Sequence, residues 1–159
     1  EAAVRLANAQ PGDTDFRAMN ARVRLWSNPK YRFRICKTKY YPEPGVDGAL
    51  VTFELLPPAA RVKVDNERKL LNLVDKAFMA RRKKLRNSLE PIYTSSQVEA
   101  ALEAAGLPAA CRAQDLSLPQ WASLYNELQA RVLKDLGVGE FAAPDGEDEA
   151  DEADGDDSE

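Results

Sequence analysis

The spacing of apolar residues changes at Pro57-Pro58, and this change divides the chain into two units. Over residues 31–35, aromatic and aliphatic side chains alternate with arginine, which is typical of a half-buried strand. After the proline pair, apolar residues recur every three to four positions, which is typical of amphipathic helices. Because two successive prolines interrupt either element, we expect a strand-containing unit over residues 1–58 and a helical unit beyond it.

The first unit is predicted to contain two helices and two strands. Residues 1–9 have the pattern of a helix end, which Pro11-Gly12 stops. Residues 16–27 fit both helical and strand spacing, and we choose a helix. The second strand is expected over residues 46–55, after a proline-rich turn. So few elements bury too small a core to be stable alone, and residues 1–58 are therefore predicted to be the edge of a larger sheet.

The second unit, residues 65–137, is predicted to be a small bundle of three helices. The first helix begins near residue 65 or 66. Each of the other two follows a capping box, in which a serine is paired with a Glu or Gln three residues later, and a glycine stops the second helix. The capping pairs are Ser96 with Glu99 and Ser117 with Gln120, and the stop is Gly106.

Charge is distributed unevenly along the chain. Of the 26 acidic residues, 11 lie in residues 140–159, which contain no Lys or Arg. Residues 1–139 therefore hold 15 acidic and 22 basic side chains, a net charge of +7. A basic body suits the binding of polyanions. The acidic tail cannot bury enough apolar surface to fold and is expected to be disordered.

The chain contains no histidine and only two cysteines, Cys36 and Cys111. Zinc clusters, Cys–His dyads and Ser–His–Asp triads therefore cannot be assembled from its residues. Isolated cysteines are usually buried as small hydrophobes, and we expect this of both. The sequence has no glycine-rich phosphate loop, and no apolar run reaches the roughly 18 residues of a membrane span. Neither a metal nor a membrane partner is expected.

Five cations fall within the six residues Arg81-Arg82-Lys83-Lys84-Leu85-Arg86. Apolar spacing places this run on the first helix of the second unit, where its cations would cover most of the circumference. Two interpretations stay open: a solvated helix end whose arginine stems cover core surface, or a phosphate-binding cluster for nucleic acid. The apolar stripe of this predicted helix comprises Leu71, Val74, Phe78, Leu85 and Leu89.

An aromatic pair, Tyr40-Tyr41, stands at the start of the proline-rich turn. Aromatic rings held on a rigid turn can stack on an unpaired nucleobase. Such a pair can equally pack against the start of the following strand. The turn is therefore a candidate base-binding element with a structural alternative.

Four segments, in order, resemble the KsgA-type family of rRNA adenine N6,N6-dimethyltransferases. Residues 77–89, Ala-Phe-x-x-Arg-Arg-Lys-x-Leu-Arg-Asn-Ser-Leu, look like the family signature. Residues 40–49, Tyr-x-Pro-x-Pro-x-Val-Asp-x-Ala, are similar to its Phe-x-Pro-x-Pro-x-Val-Asp-Ser-Ala turn. Residues 106–117 resemble its Gly-x-x-Pro…Arg-Ala-Glu-x-Leu-Ser stretch, with the proline one place early, and residues 1–12 its Glu-Val-x-x-Arg-Leu…Pro-Gly segment. The resemblance covers about residues 1–133, and residues 26–33 with 51–53 look most like the chloroplast branch.

The resemblance implies a Rossmann-type α/β domain that binds S-adenosylmethionine, followed by a small helical domain that binds rRNA. Residues 1–58 would be the last part of the first domain and residues 65–137 the second, with residues 140–159 as a tail. The chain would then be a C-terminal fragment without the catalytic and cofactor motifs. The implied enzyme is a monomer that methylates two adjacent adenosines near the 3′ end of small-subunit rRNA during ribosome biogenesis. The implied location is the chloroplast, with the mitochondrion as the alternative.

By the same resemblance, individual residues acquire expected roles. Tyr40 would lie beside the target base. No catalytic, cofactor-binding or metal-binding residue is expected in this chain. The residues expected to grip rRNA phosphates are Arg81, Arg82, Lys83, Lys84, Arg86 and Arg112.

The chain also departs from the family pattern at three places. Residues 17–20 are Arg-Ala-Met-Asn where the family often has Gly-Arg-Leu-Ser. Gly45 stands where a Lys precedes the Val-Asp pair, and Gly48 stands where a Ser follows it. All three departures lie in the first unit, whereas the basic run matches the signature.

Two other functions stay open from the sequence. A non-catalytic RNA-binding accessory factor could be built on the same fold, since folds are reused for different functions. The acidic tail could also bind a basic partner, or cover Arg81–Arg86 as a mimic of RNA.

Overall fold

The computed structural model describes residues 1–135. In this part, five of the six α-helices share one buried core, and the first helix packs against an antiparallel hairpin. No helix of residues 1–135 is both long enough and apolar enough to cross a bilayer. The predicted acidic tail and the end of the predicted helical domain lie outside the described residues. The elements are α1 (Ala2–Asn8), α2 (Ala18–Trp26), β1 (Ser27–Ile35), β2 (Gly48–Leu55), α3 (Glu67–Met79), α4 (Leu85–Ser88), α5 (Ser95–Ala104) and α6 (Leu118–Asp135).

The hairpin confirms the two predicted strands and moves their limits. β1 and β2 pair from Ser27 opposite Leu55 to Ile35 opposite Gly48, with an irregularity between Tyr31 and Phe33. β1 therefore begins four residues before the predicted start, and β2 begins two residues later. Several apolar side chains of the hairpin stay exposed: Phe33, Leu50, Phe53 and Leu55. That exposure accords with the predicted edge of a larger sheet, which itself stays a prediction.

Asn20 joins α1 to α2 through hydrogen bonds at both ends of its side chain. Its Nδ2 donates to the carbonyls of Arg5 at 2.9 Å and Leu6 at 3.1 Å, in the last turn of α1. Its Oδ1 accepts from the Arg17 amide at 2.9 Å, which caps α2. The side chain is buried, so these bonds satisfy polar groups that water cannot reach. The ambiguous stretch over residues 16–27 is thus a helix, as predicted.

Three aromatic rings connect the two units. Phe16 precedes α2, Phe78 lies in the last turn of α3, and Trp121 lies on α6. The ring centroids are 6.2 Å apart for Phe16 and Phe78, and 6.4 Å for Phe78 and Trp121. Phe16 and Trp121 are fully buried. The core of the described chain is therefore shared between the two predicted units.

The predicted single helix through Leu89 is wrong. α3 ends at Met79, residues 80–84 form a turn, and α4 is a separate helix of one turn. A continued helix would place successive cations on every face, including the face that packs against the core, and burying an unpaired charge is costly. The turn leaves Arg82, Lys83 and Lys84 exposed while Leu85 is fully buried.

The capping box before α5 also differs from the prediction. Thr94 caps the helix, accepting from the Gln97 amide at 3.3 Å, while Gln97 Oε1 accepts from the Thr94 amide at 3.0 Å. Glu99, the predicted partner, instead forms an ion pair with Arg86. Gly106 ends α5 as predicted, with a φ of 66° that favours glycine.

The start of α6 agrees with the sequence. The Ser117 amide and hydroxyl each donate to Gln120 Oε1 at 2.8 Å. As far as residue 135, the predicted bundle therefore contains four α-helices, because the first predicted helix is divided into α3 and α4.

Replacing Asn20 with Ala should lower the free energy of unfolding by about 1–3 kcal/mol, because buried partners lose their hydrogen bonds. Urea denaturation of the protein measures the change. Asn72→Ala is the matched control, since Asn72 is exposed on α3 and its replacement should cost less than about 0.5 kcal/mol. Equal effects at the two positions would contradict the linking role of Asn20.

Candidate nucleic-acid interface

The predicted phosphate-binding run forms a turn and the start of α4, and three of its five cations are exposed. The Lys83 amide donates to the Ala80 carbonyl at 2.8 Å, which closes the turn directly after α3. Cations at this place are also favoured by the negative end of the α3 dipole. Of the run's cations, Arg82, Lys83 and Lys84 are exposed, whereas Arg81 is half-buried.

Arg81 connects this turn to the loop before α2. Its Nη1 donates to the Thr14 carbonyl at 3.0 Å, and Arg17 Nη1 donates to the same carbonyl oxygen. Two guanidinium groups therefore converge on one acceptor. Partial burial, and then the positive charges of Arg81 and Arg5, lower the pKa of Arg17. Asp15, 3.8 Å from Arg17, offsets part of this repulsion.

Arg112 lies next to a residue that is hydrogen-bonded to the end of this run. The Leu85 amide donates to the Cys111 carbonyl at 3.0 Å, which ties the end of the run to the residue before Arg112. Arg112 is exposed, and its own amide donates to Asp115 at 2.7 Å. A further bond of 2.7 Å, from the Gly12 amide to the Gln114 carbonyl, fixes the loop before α2 against this segment.

Three chain segments that are distant in sequence thus form one basic cluster: Arg17, Arg81, Arg82, Lys83, Lys84 and Arg112. Within residues 1–135, Arg82, Lys83, Lys84 and Arg112 have no carboxylate within ion-pair distance. Arg86 differs, because it forms an ion pair with Glu99. An array of unneutralised cations is able to hold several phosphates at once.

The predicted base-binding turn lies in the loop that joins β1 to β2, at the closed end of the hairpin. Tyr40 follows a short 3₁₀ turn, Lys37–Lys39, and is 43% exposed, whereas Tyr41 is fully exposed. Asp47 holds this turn by accepting from the Lys37 amide at 2.9 Å and pairing with Arg34. The Lys37 amide, and then the Arg34 guanidinium, keep the pKa of Asp47 below its ordinary value. Asp47 of the Val-Asp pair therefore clamps the turn, whereas Val46 is exposed.

Helix α1 borders both the hairpin and the loop around Thr14. Its first residues, with Asp47 and Gly48, line a hollow on one side. Its Arg5 and Asn8, with the Thr14 loop, line a hollow on the other side. The Thr14 loop, which accepts from Arg17 and Arg81, and the first residues of β2 therefore both border α1.

Comparison with known proteins identifies the family. Residues 1–130 match the family described as Ribosomal RNA adenine dimethylase. The chain belongs to this family. A relative from Arabidopsis thaliana, named Ribosomal RNA small subunit methyltransferase, chloroplastic, is 38% identical over 126 residues, covering 79% of this chain and 37% of that protein. A Ribosomal RNA small subunit methyltransferase A from Pelotomaculum thermopropionicum is 41% identical, covering 78% of this chain and 42% of that protein. The chain thus spans less than half the length of these relatives.

Solved structures share the fold of this family member. A dimethyladenosine transferase from Plasmodium falciparum superposes with a TM-score of 0.67 at 16% identity, covering 82% of this chain and 54% of that one. The 23S rRNA methyltransferase ErmE superposes with a TM-score of 0.51 at 19% identity, covering 79% and 52% respectively. The resemblance inferred from the four motifs is therefore confirmed at the level of family and fold.

Sequence reasoning missed Arg17 as a member of the basic cluster. It was noted only as a departure, since this position is often glycine in the family pattern. Arg17 lies near Arg81 because of the conformation of the Thr14 loop. No pattern of residue spacing in the sequence indicates this proximity. The run and Arg112, by contrast, were found from their motifs.

The prediction that both cysteines are buried is confirmed for Cys111 and wrong for Cys36. Burial raises the pKa of the Cys111 thiol to about 11. Cys36 lies at the exposed end of β1, where a hydrogen bond from the Thr38 hydroxyl, 3.2 Å from its sulfur, lowers its pKa.

These environments predict unequal reactivity, because the thiolate is the reactive form. At pH 8, an aromatic disulfide reagent should modify Cys36 rapidly and Cys111 only after the protein is unfolded. Released chromophore, followed over time, measures both phases. Cys36→Ser should remove the fast phase alone, and equal rates at both cysteines would contradict the described environments.

Proposed function

We propose that this chain is the rRNA-binding, C-terminal part of a small-subunit rRNA adenine N6,N6-dimethyltransferase. The full-length protein would transfer methyl groups to two adjacent adenosines near the 3′ end of the rRNA, during ribosome biogenesis. The observation that carries the proposal is the basic cluster, four of whose cations have no carboxylate partner among the described residues. Family membership supports methyl transfer to adenosine as the reaction. The basic cluster supports RNA as the class of substrate.

The cluster would act by holding phosphates and setting the register of the RNA. Phosphate contacts give affinity that depends on salt and does not depend on sequence. Because Arg17 and Arg81 both contact Thr14, a phosphate held there would also fix the loop that precedes α2. The phosphate contact would extend along the RNA strand to Arg82, Lys83, Lys84 and Arg112. Arg86 is proposed as a weaker contributor, since Glu99 already neutralises it.

Tyr40 would contribute at the target base. Its ring is 43% exposed, in the loop that joins the two strands of the hairpin. An extruded adenine can stack on such a ring while nearby groups hold its backbone. The role proposed for Tyr40 is therefore to position the base. Holding the base near its reactive geometry lowers the entropic part of the activation barrier.

S-adenosylmethionine would supply the methyl group. The residues of this chain do not fit a site for it: the two described strands form an antiparallel hairpin, without the glycine-rich strand-to-helix turn that such sites use. We therefore assign cofactor binding and catalysis to the part of the protein that the longer relatives contain and this chain does not. The two-domain division, with residues 1–58 at the sheet edge and 65–137 as the helical domain, belongs to the same proposal.

The similarity to a chloroplastic relative supports a plastid location. The protein is proposed to act as a monomer on the small ribosomal subunit or its precursor. The accessory-factor alternative would retain the basic cluster and lose the methyl transfer.

Replacing Arg82, Lys83 and Lys84 together with Ala should reduce the slope of log affinity against log salt by about two for single-stranded RNA. Arg81 is left in place because its contact with Thr14 also supports the fold. Binding of the full-length protein to an rRNA fragment, measured at several salt concentrations, gives the slope.

The matched control removes the same charge at the other end of α3, where Arg68 and Lys69 lie about 18 Å along the helix from the basic run and Lys63 lies just before the helix. These three side chains are exposed, and their replacement by Ala should leave the slope unchanged. Equal slopes for both triple variants would show that the basic run is a solvated surface and does not bind phosphates.

The reaction is tested with the full-length protein, labelled S-adenosylmethionine and small ribosomal subunits that lack these methyl groups. Label in dimethyladenosine at two adjacent 3′-end adenosines is expected. Tight binding of the subunits without transfer would favour the accessory factor and overturn the enzyme.

A further inference from the structure

Gly48, the first residue of β2, is required for space and not for its backbone conformation. Among the described glycines, only Gly12 and Gly106 have a positive φ. A Cβ built on Gly48 would overlap the Tyr40 hydroxyl and lie 3.1 Å from Tyr40 Cζ and 3.3 Å from Cε2. The Tyr40 hydroxyl therefore occupies the volume that any other residue at position 48 would fill.

We propose that Gly48 is a positioning residue for Tyr40: the missing side chain admits the Tyr40 hydroxyl and so sets the direction in which the ring faces the target base. The inference rests on the proposed function, in which Tyr40 contacts that base. It goes further by naming a second residue that determines the geometry of this contact.

The ring can be displaced without unfolding the hairpin. Tyr40 is 43% exposed and lies outside the buried core. The backbone before it is held independently, since Asp47 accepts from the Lys37 amide and pairs with Arg34. A side chain at position 48 would therefore move the Tyr40 ring, the most easily displaced group nearby, and leave the turn in place.

This contact also relates two differences between the chain and the pattern that its turn resembles. That pattern has Phe and Ser where this chain has Tyr40 and Gly48. In this chain the hydroxyl belongs to Tyr40 on the turn. In the family pattern it belongs to the Ser at the position of Gly48. Because the two positions compete for one small volume, a larger residue at one requires a smaller residue at the other.

The test is a double-mutant cycle in the full-length protein. Gly48→Ser should lower kcat for methyl transfer about ten- to a hundredfold with little change in KM, because the ring is misplaced and phosphate binding is not. Tyr40→Phe should have a smaller effect. The double variant Tyr40→Phe/Gly48→Ser should recover kcat to within about threefold of the wild type, as expected for two residues that share one volume.

Gly45→Ser is the matched control. Gly45 lies in the same turn, has no atom near a Cβ built on it, and lacks a positive φ. Its replacement should leave kcat unchanged. Thermal unfolding of every variant should stay at the wild-type midpoint, which separates displacement of the ring from loss of fold.

A second readout does not depend on activity. In selectively labelled full-length protein, a nuclear Overhauser effect is expected between the Tyr40 ring and the Gly48 Hα protons, and should be lost in Gly48→Ser. Absence of this signal in the wild type, a fully active Gly48→Ser, or a folded double variant that fails to recover would overturn the inference. A wild-type protein without methyl transfer would instead overturn the proposed function, and the loss of the Overhauser effect in Gly48→Ser would then test the Tyr40–Gly48 contact alone.

Discussion

The contact between Phe16, Phe78 and Trp121 holds the described chain together. Each ring comes from a different segment, and the distances between neighbouring centroids are 6.2 and 6.4 Å. Aromatic pairs at this separation add stabilisation beyond the area they bury. Phe78 lies three residues before Arg81, so the same packing holds the end of α3 from which the basic run continues. The Thr14 loop, which follows Pro11-Gly12 and ends at Phe16, is oriented by the other end of this contact.

Elements with a strong local signal could be predicted from the sequence. The alternation around Tyr31 gave a strand, Gly106 gave a helix stop, and Ser117 gave a helix start, because each depends on neighbouring residues alone. The division of the long predicted helix at residues 80–84 could not be predicted in this way. Its apolar stripe continues in phase into α4, and only the cost of burying cations against the core breaks it.

The residues of the candidate interface likewise fall into those that could be predicted from the sequence and those that could not. Its consecutive cations, Arg81 to Lys84, are visible as a run, and Arg112 was found through a motif. Arg17 was not found, because its approach to Arg81 depends on a loop conformation. Likewise, Asn20 was noted only as a difference from the family pattern, yet it is a buried link between α1 and α2. Long-range hydrogen bonds of this kind leave no periodic trace in a sequence.

The basic cluster is assembled from three segments, and it therefore exists only in the folded protein. An unfolded chain would offer a polyanion the run at residues 81–86 but neither Arg17 nor Arg112 in register with it. Any ligand that recognises the assembled cluster must then favour the native state over the unfolded one. At a concentration one hundred times its dissociation constant, such a ligand adds about 2.7 kcal/mol to the free energy of unfolding. A polyanion bound to this surface would therefore stabilise the folded state of the domain that binds it.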